Sequence, residues 1–196
     1  MNHEHLQAWL AECTDRLLRA IDGFTQPDFE RTTALPGWTV GHLVAHLHHN
    51  AEALGRLVDW AATGVPNPMY SGPEQRGAEI ERSARLPAEQ LRALVRRSAT
   101  ELESAMAGLP GKAWSATVVT AQGREVAATE IPWLRLREVT VHAVDLDTAR
   151  FADFPAEFLE ALAREALERR LGRGEGALLA GLLTGRDHPS SLPAWL

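Results

Sequence analysis

Four of the chain's eight histidines fall in one ten-residue stretch, Gly41-His42-Leu43-Val44-Ala45-His46-Leu47-His48-His49-Asn50. A fifth, His142, follows Glu138 by four residues in Arg137-Glu138-Val139-Thr140-Val141-His142. On a helix, residues four apart share a face, so Glu138 and His142 can point at one spot. A carboxylate and an imidazole from one helix, joined by an imidazole from a second, make a three-ligand set. That set is the pattern of a catalytic zinc centre, which keeps a fourth position for water or substrate. At ~100° per residue, the apolar arc of the histidine-rich helix holds Leu43, Val44, Leu47, Leu54, Leu57 and Val58. His46 lies at the edge of that arc. His42, His49 and His48 fall farther from it or on the opposite flank, so His46 is the expected third ligand. Asp145, three residues after His142, is placed to orient that ring as a hydrogen-bond acceptor.

Other reactive groups have weaker claims. Cys13 sits mid-helix with no histidine near it in sequence, and is expected to be a plain buried cysteine. The chain has no Gly-x-Gly-x-x-Gly, no Gly-x-x-x-x-Gly-Lys-Ser/Thr and no Gly-x-Ser-x-Gly pattern. Nucleotide sites of those kinds and a serine nucleophile elbow therefore lack support. Trp38 and Trp133 are expected to be packing residues near helix starts.

Long helices must position the candidate ligands. Leu6, Leu10, Leu17, Leu18 and Ile21 recur at helical spacing and predict a first helix over residues 4–21. Thr39 is the expected N-cap of a second, running to Thr63 and stopped by Gly64, Pro66 and Pro68. Residues 64–73 are too rich in glycine and proline for regular structure. A short helix over 74–84 and a longer one from Pro87 to Ala107 follow. Thr117–Thr120 favours a strand, with Ala121-Gln122-Gly123-Arg124 as its turn. Helix resumes over 129–149, with Pro132 tolerated in the first turn, and again over 155–171. Four long amphipathic helices with polar connections predict a mainly α, antiparallel four-helix bundle with a short β-hairpin excursion, a fold that builds metal sites from facing helices.

The 196 residues carry a net charge of -6, 45% hydrophobic and 23% charged residues. These values suit one globular domain with a small appendage and exclude a wholly disordered or collagen-like chain. With no basic stripe, nucleic-acid binding is not expected. One cysteine excludes an internal disulfide framework. No apolar run reaches the ~18 residues of a membrane span, and residues 1–9 lack the pattern of a signal peptide. The expectation is a soluble, cytoplasmic protein.

Four stretches make the chain similar to a known family. They are Leu35-Pro36-Gly37-Trp38-Thr39 leading through Gly41-His42-Leu43-Val44-Ala45-His46 to Asn50; Pro68-Met69-Tyr70-Ser71 with Pro73-Glu74 and Arg76; Thr120-Ala121-Gln122-Gly123-Arg124; and Trp133-Leu134-Arg135-Leu136-Arg137-Glu138 followed by His142-Ala143-Val144-Asp145-Leu146. In these the chain resembles the mycothiol-dependent maleylpyruvate isomerases, within the DinB-like metal-binding helix bundles. The ending Leu192-Pro193-Ala194-Trp195-Leu196 is similar as well. The resemblance implies a DinB-like bundle over residues 1–150 and a shortened C-terminal remnant over 151–196, about half the length usual in the family. It places the metal ligands on His46, Glu138 and His142, and a catalytic arginine from the C-terminal part on Arg186.

The implied reaction is the cis–trans conversion of maleylpyruvate to fumarylpyruvate, a step of aromatic-compound degradation. Its cofactors would be Zn²⁺, or nickel, cobalt or iron on the same ligands, and mycothiol as the source of the thiolate. That explains how the chain can lack a reactive cysteine. The implied partners are a dicarboxylate and a low-molecular-weight thiol. A dianionic substrate calls for guanidinium groups, and Arg76 and Arg135 join Arg186 as candidates. The competing readings are a mycothiol S-transferase on the same bundle, a metal-dependent binding module without turnover, and a metal-free helical scaffold.

Overall fold

The computed structural model describes residues 3–186, which form two compact units that divide between Ala149 and Arg150. In the first, α1 (His3–Asp22) and the single turn α2 (Gln26–Glu30) precede α3 (Val40–Thr63). Next come α4 (Pro73–Ala84), α5 (Ala88–Ala107), β1 (Thr117–Val119), β2 (Glu125–Ala127) and α6 (Ile131–Asp145). The bundle is made by α1, α3, α5 and α6. Helix α3 packs chiefly on α5 and also on α6 and α4, while α1 packs chiefly on α6 and only lightly on α5. Among the described residues, no helix is long and apolar enough to cross a membrane.

Helix α3 is the axis of the unit. Thr39 caps it as expected: its hydroxyl accepts from the His42 amide, and its own amide donates to His42 Nδ1 at 3.2 Å. Gly64 closes it in the left-handed region at φ 74°, where a residue without Cβ has no steric penalty. Leu43, Val44, Leu47, Leu54 and Leu57 are fully buried. His46, His48 and His49 are buried as well. The expectation that His48 and His49 lie away from the core is therefore corrected: α3 is packed by α4, α5 and α6, and His49 bonds Ser83 of α4.

The hairpin forms where the β-branched run predicts it, in antiparallel register Thr117–Ala127, Val118–Val126 and Val119–Glu125. Gly123 supplies the positive φ its turn needs, 76°. The Ala121 amide donates to Met69 Sδ at 3.2 Å, and Arg56 Nε donates to the Met69 carbonyl at 2.9 Å. The Pro68-Met69-Tyr70 loop is thereby tied both to the hairpin and to α3. Helix α6 starts with Pro132 in its first turn, as expected. It stops at Asp145 rather than continuing to Ala149: Asp147 turns into the left-handed region at φ 58°, and the Thr148 amide returns to the Ala143 carbonyl at 3.0 Å.

The second unit contains α7 (Ala156–Gly172) and α8 (Gly176–Leu183), and among its described residues there is no strand. Phe154 packs edge-on against Phe158, and Arg170 Nη1 pairs with Glu175 at 2.6 Å. The expected resemblance at residues 192–196 lies outside the described residues.

Two glycines of α3 separate local preference from packing. A Cβ on Gly41 would stand 3.1 Å from the Phe29 carbonyl oxygen and 3.2 Å from that of Ala84, whereas one on Gly55 would meet nothing within 4 Å. Helix propensity favours alanine over glycine by up to ~1 kcal/mol, and overpacking against fixed backbone costs about 1–3 kcal/mol. Gly55→Ala should therefore raise the melting temperature and Gly41→Ala lower it. Thermal unfolding of the pair, followed by circular dichroism, checks the opposite signs.

Candidate metal centre

The three residues expected to form the ligand set do come together. His46 Nε2 from α3 lies 2.9 Å from Glu138 Oε2 of α6, and His142 Nε2 lies 3.5 Å from the same oxygen. One donor atom from each of the three falls within 4.8 Å of the others. All three side chains are buried, Glu138 at 8% exposure being the most open. Ligands at ~2.1 Å from a tetrahedral zinc stand about 3.4 Å apart, so the observed spacings suit an ion of that size. The donor set has a second mark of fit. His142 Nε2 is buried without a hydrogen-bond partner among the described residues, and its ring is held so that this nitrogen faces the trio. The holding contact is His142 Nδ1 to Asp145 Oδ2 at 2.8 Å, the arrangement that fixes tautomer and aim in metal-ligating histidines.

The electrostatics of the trio follow from burial and from the shared carboxylate. Burial pushes His46 down to about 4, although Glu138 pulls the other way. Burial also acts downward on His142, but the Asp145 and Glu138 carboxylates outweigh it and hold the ring up to about 9. Burial works against the charge on Glu138, and the two imidazoles outweigh it, keeping the carboxyl well below its usual range. At neutral pH the carboxylate is ionised, His46 is neutral and His142 holds a proton.

The surrounding residues shape the approach. Arg76, half-buried on α4, directs Nη2 at His46 Nδ1, 3.2 Å away. Tyr70 is half-buried beside it, its phenol pushed up by burial, with the Arg56 guanidinium 5.8 Å from its ring centre. Trp38 stands 5.6 Å from the His46 ring and stacks on His42 at 6.4 Å. It is a wall of the site as well as a packing residue. Trp38, His42 and His46 are spaced by four, so the signal for that column was present in the sequence. Arg137 is a further cation that the sequence reading passed over; it is buried, with Nη2 3.5 Å from Glu138 Oε1.

The remaining expected residues make the following contacts. Arg135 is 3% exposed, and its Nη1 donates to the Leu47 carbonyl and to Asn50 Oδ1, each at 2.8 Å. It ties α6 to α3 instead of joining the trio. Arg186 follows α8 in the second unit, exposed, with its guanidinium turned to the Thr184 carbonyl. Cys13 is only half-buried, which corrects the expectation of a core cysteine, and burial pushes its thiol up to about 11. His48, His49 and Glu52 form a second close group of donors. There His49 reaches Glu52 at 3.1 Å and Ser83 of α4 at 2.8 Å, a bond between helices.

Fold and site together define a DinB-like four-helix bundle with a His/His/Glu trio at its centre. A model of the mycothiol maleylpyruvate isomerase N-terminal domain family matches residues 10–147, and the chain belongs to that family. Among solved structures, it is similar to a mycothiol-dependent maleylpyruvate isomerase, at 40% identity and a TM-score of 0.82 over 84% of this chain and 69% of that one. A histidine-to-alanine mutant of such an isomerase matches at 39% identity, with the same TM-score and coverage. No curated protein matches the chain.

The two histidines give the metal-free protein opposing pH dependences. His46 is held below its ordinary 6.5, so its contribution to stability is lost as pH falls from about 6.5 toward 4. His142 is held above it, so its contribution is full below about 6.5 and lost as pH rises through 9. In metal-free protein, NMR titration should find the His142 ring changing charge near 9, and Asp145→Asn should move that value down. A His142 titration unchanged by Asp145→Asn would contradict the carboxylate's role.

Proposed function

We propose that this protein isomerises maleylpyruvate to fumarylpyruvate with mycothiol as a thiol that is used and returned. The observation that carries the reading is the buried His46, Glu138 and His142 trio in a chain 40% identical to such an isomerase. In this reading the trio holds a divalent metal, with Zn²⁺ the ion that two imidazoles and a carboxylate suit best. The metal would lower the pKa of the mycothiol thiol, making thiolate available at neutral pH. Residues 151–196 serve as a shortened C-terminal domain and supply Arg186 as a catalytic cation.

Thiolate adds to one alkene carbon, forming a C–S bond while the alkene electron pair moves onto the conjugated carbonyl oxygen. The former double bond is now single and turns. Return of the electron pair expels the thiolate and leaves the trans alkene, so nothing is oxidised and the thiol is regenerated. The side chains supply position and charge. Asp145 keeps His142 aimed inward, and Trp38 keeps water from the His46 side. Arg76 bonds His46 Nδ1 at 3.2 Å as the structure stands. Arg76, beside the His46 ring, is the guanidinium that would pair with a substrate carboxylate, to which its planar fork is suited in bidentate fashion.

Purified protein should convert maleylpyruvate only when mycothiol is added, and mycothiol should be recovered free. Recovery as a thioether would instead make the protein an S-transferase. Zinc measured on the same sample should be near one equivalent and should be lost in His46→Ala. Asp145→Asn should retain the fold and weaken zinc retention by about 10–100-fold. Full metal content in His46→Ala would overturn the ligand assignment.

A further inference from the structure

The light contact between α1 and α5 leaves a cleft of about 600 Å³ along that side of the bundle. None of His46, Glu138, His142, Arg76 or Tyr70 lines it. Its volume falls within the range of small-molecule pockets, ~300–1,000 Å³. Its apolar lining is Leu10 and Leu18 of α1 with Ala99, Leu102 and Met106 of α5, alongside polar residues that include Thr14 and Thr100. One residue of α6 lines it, and that residue is Arg135.

Arg135 is the unusual feature. It is 3% exposed, and the partners of its guanidinium are a backbone carbonyl and an amide oxygen, both neutral. No carboxylate among the described residues lies within ion-pair distance of it. Burial pulls it down to about 10, while the Glu138 carboxylate, beyond ion-pair distance, acts the other way; it still carries its charge at neutral pH. A buried cation with neutral acceptors retains a large part of its desolvation cost. An anion in the adjoining cleft would offset that cost in a low-dielectric setting, where charge pairing is strong.

The rim carries charges of its own. Asp15 pairs with Arg19, and Arg96 pairs with Asp22. Glu12 and Glu103 are exposed, where water and salt screen them. Arg135 is the buried charge of the cleft, and the carboxylates Glu12, Asp15 and Glu103 lie at its exposed rim. We propose that this cleft is a second ligand site, separate from the metal centre, for a small organic anion whose acidic head meets Arg135 and whose apolar body lies between α1 and α5.

Replacing Arg135 would also cut the ties to Leu47 and Asn50, so the test varies the ligand's charge and the cleft's width instead. Decanoate, decanol and decyltrimethylammonium, which share one tail, are titrated calorimetrically into the full chain, zinc-loaded and zinc-depleted. Decanoate should bind at least ten-fold tighter than either other probe, equally in both forms of the protein. Thr14→Phe, which narrows the cleft from the half-buried Thr14, should weaken decanoate at least ten-fold while leaving the melting temperature within a few degrees. Equal affinity for the three probes, no binding of decanoate, or binding indifferent to Thr14→Phe would each overturn the site. Because zinc-depleted protein is included, a failure of the metal centre or of the isomerase reading would leave this result intact.

Discussion

The fold is organised around an ionised carboxylate in its interior. Glu138 is 92% buried by the side of α6, and the nearest group to it is His46 of α3, 2.9 Å away. An isolated charge in such a place is costly, and removing one partner of a buried pair costs more than the pair contributes. Glu138 therefore needs His46, His142 and Arg137 around it at once. That requirement sets how far α3 and α6 can slide past one another. In the proposed function the same atoms that stabilise this fold would hold the metal, an ion more highly charged than the proton on His142.

Much of this arrangement was legible from residue spacing. Glu138 and His142 share a face because they are four apart, and Asp145 reaches His142 because it is three further on. The projection of α3 singled out His46, which borders the arc of Leu43, Leu47 and Leu57 and lies beside Glu138 in the structure. The same projection failed for His48 and His49, which are 4% and 7% exposed. A single apolar arc assumes one packed face. Helix α3 is packed by α4, α5 and α6, and α4 is too short and polar to announce itself as a core element. The end of α6 was also misjudged, because Asp147 takes a left-handed conformation usually left to glycine or asparagine.

The arginines show a different limit of sequence reading. Arg76, Arg135 and Arg137 are alike as letters, and charge alone gives no reason to separate them. Position in three dimensions does. Arg76 reaches His46 from a helix that is distant in sequence; Arg135 spans to the backbone of α3; Arg137 lies against the carboxylate next to it in the chain. A guanidinium has a long stem and a planar fork, so helix phase does not fix where its donors end up.

Helix α3 turns this polarity into register. A helix buried on every side is usually apolar all round, yet α3 carries His46, His48, His49 and Asn50 in its buried middle. Apolar contacts between helices tolerate a shift of one turn, since one leucine ridge resembles the next. Hydrogen bonds do not tolerate it. His49 selects Ser83 on α4, Asn50 selects Arg135 on α6, and His46 selects Glu138 on α6 and Arg76 on α4. A slip of α4 by one turn would break two of these bonds and leave buried donors unpaired, each at a cost of about 1–3 kcal/mol. The polar centre of α3 thus acts as an alignment code for its neighbours, and the accuracy with which Arg76 meets His46 depends on the distant Ser83–His49 bond as well as on contacts within the His46, Glu138 and His142 trio.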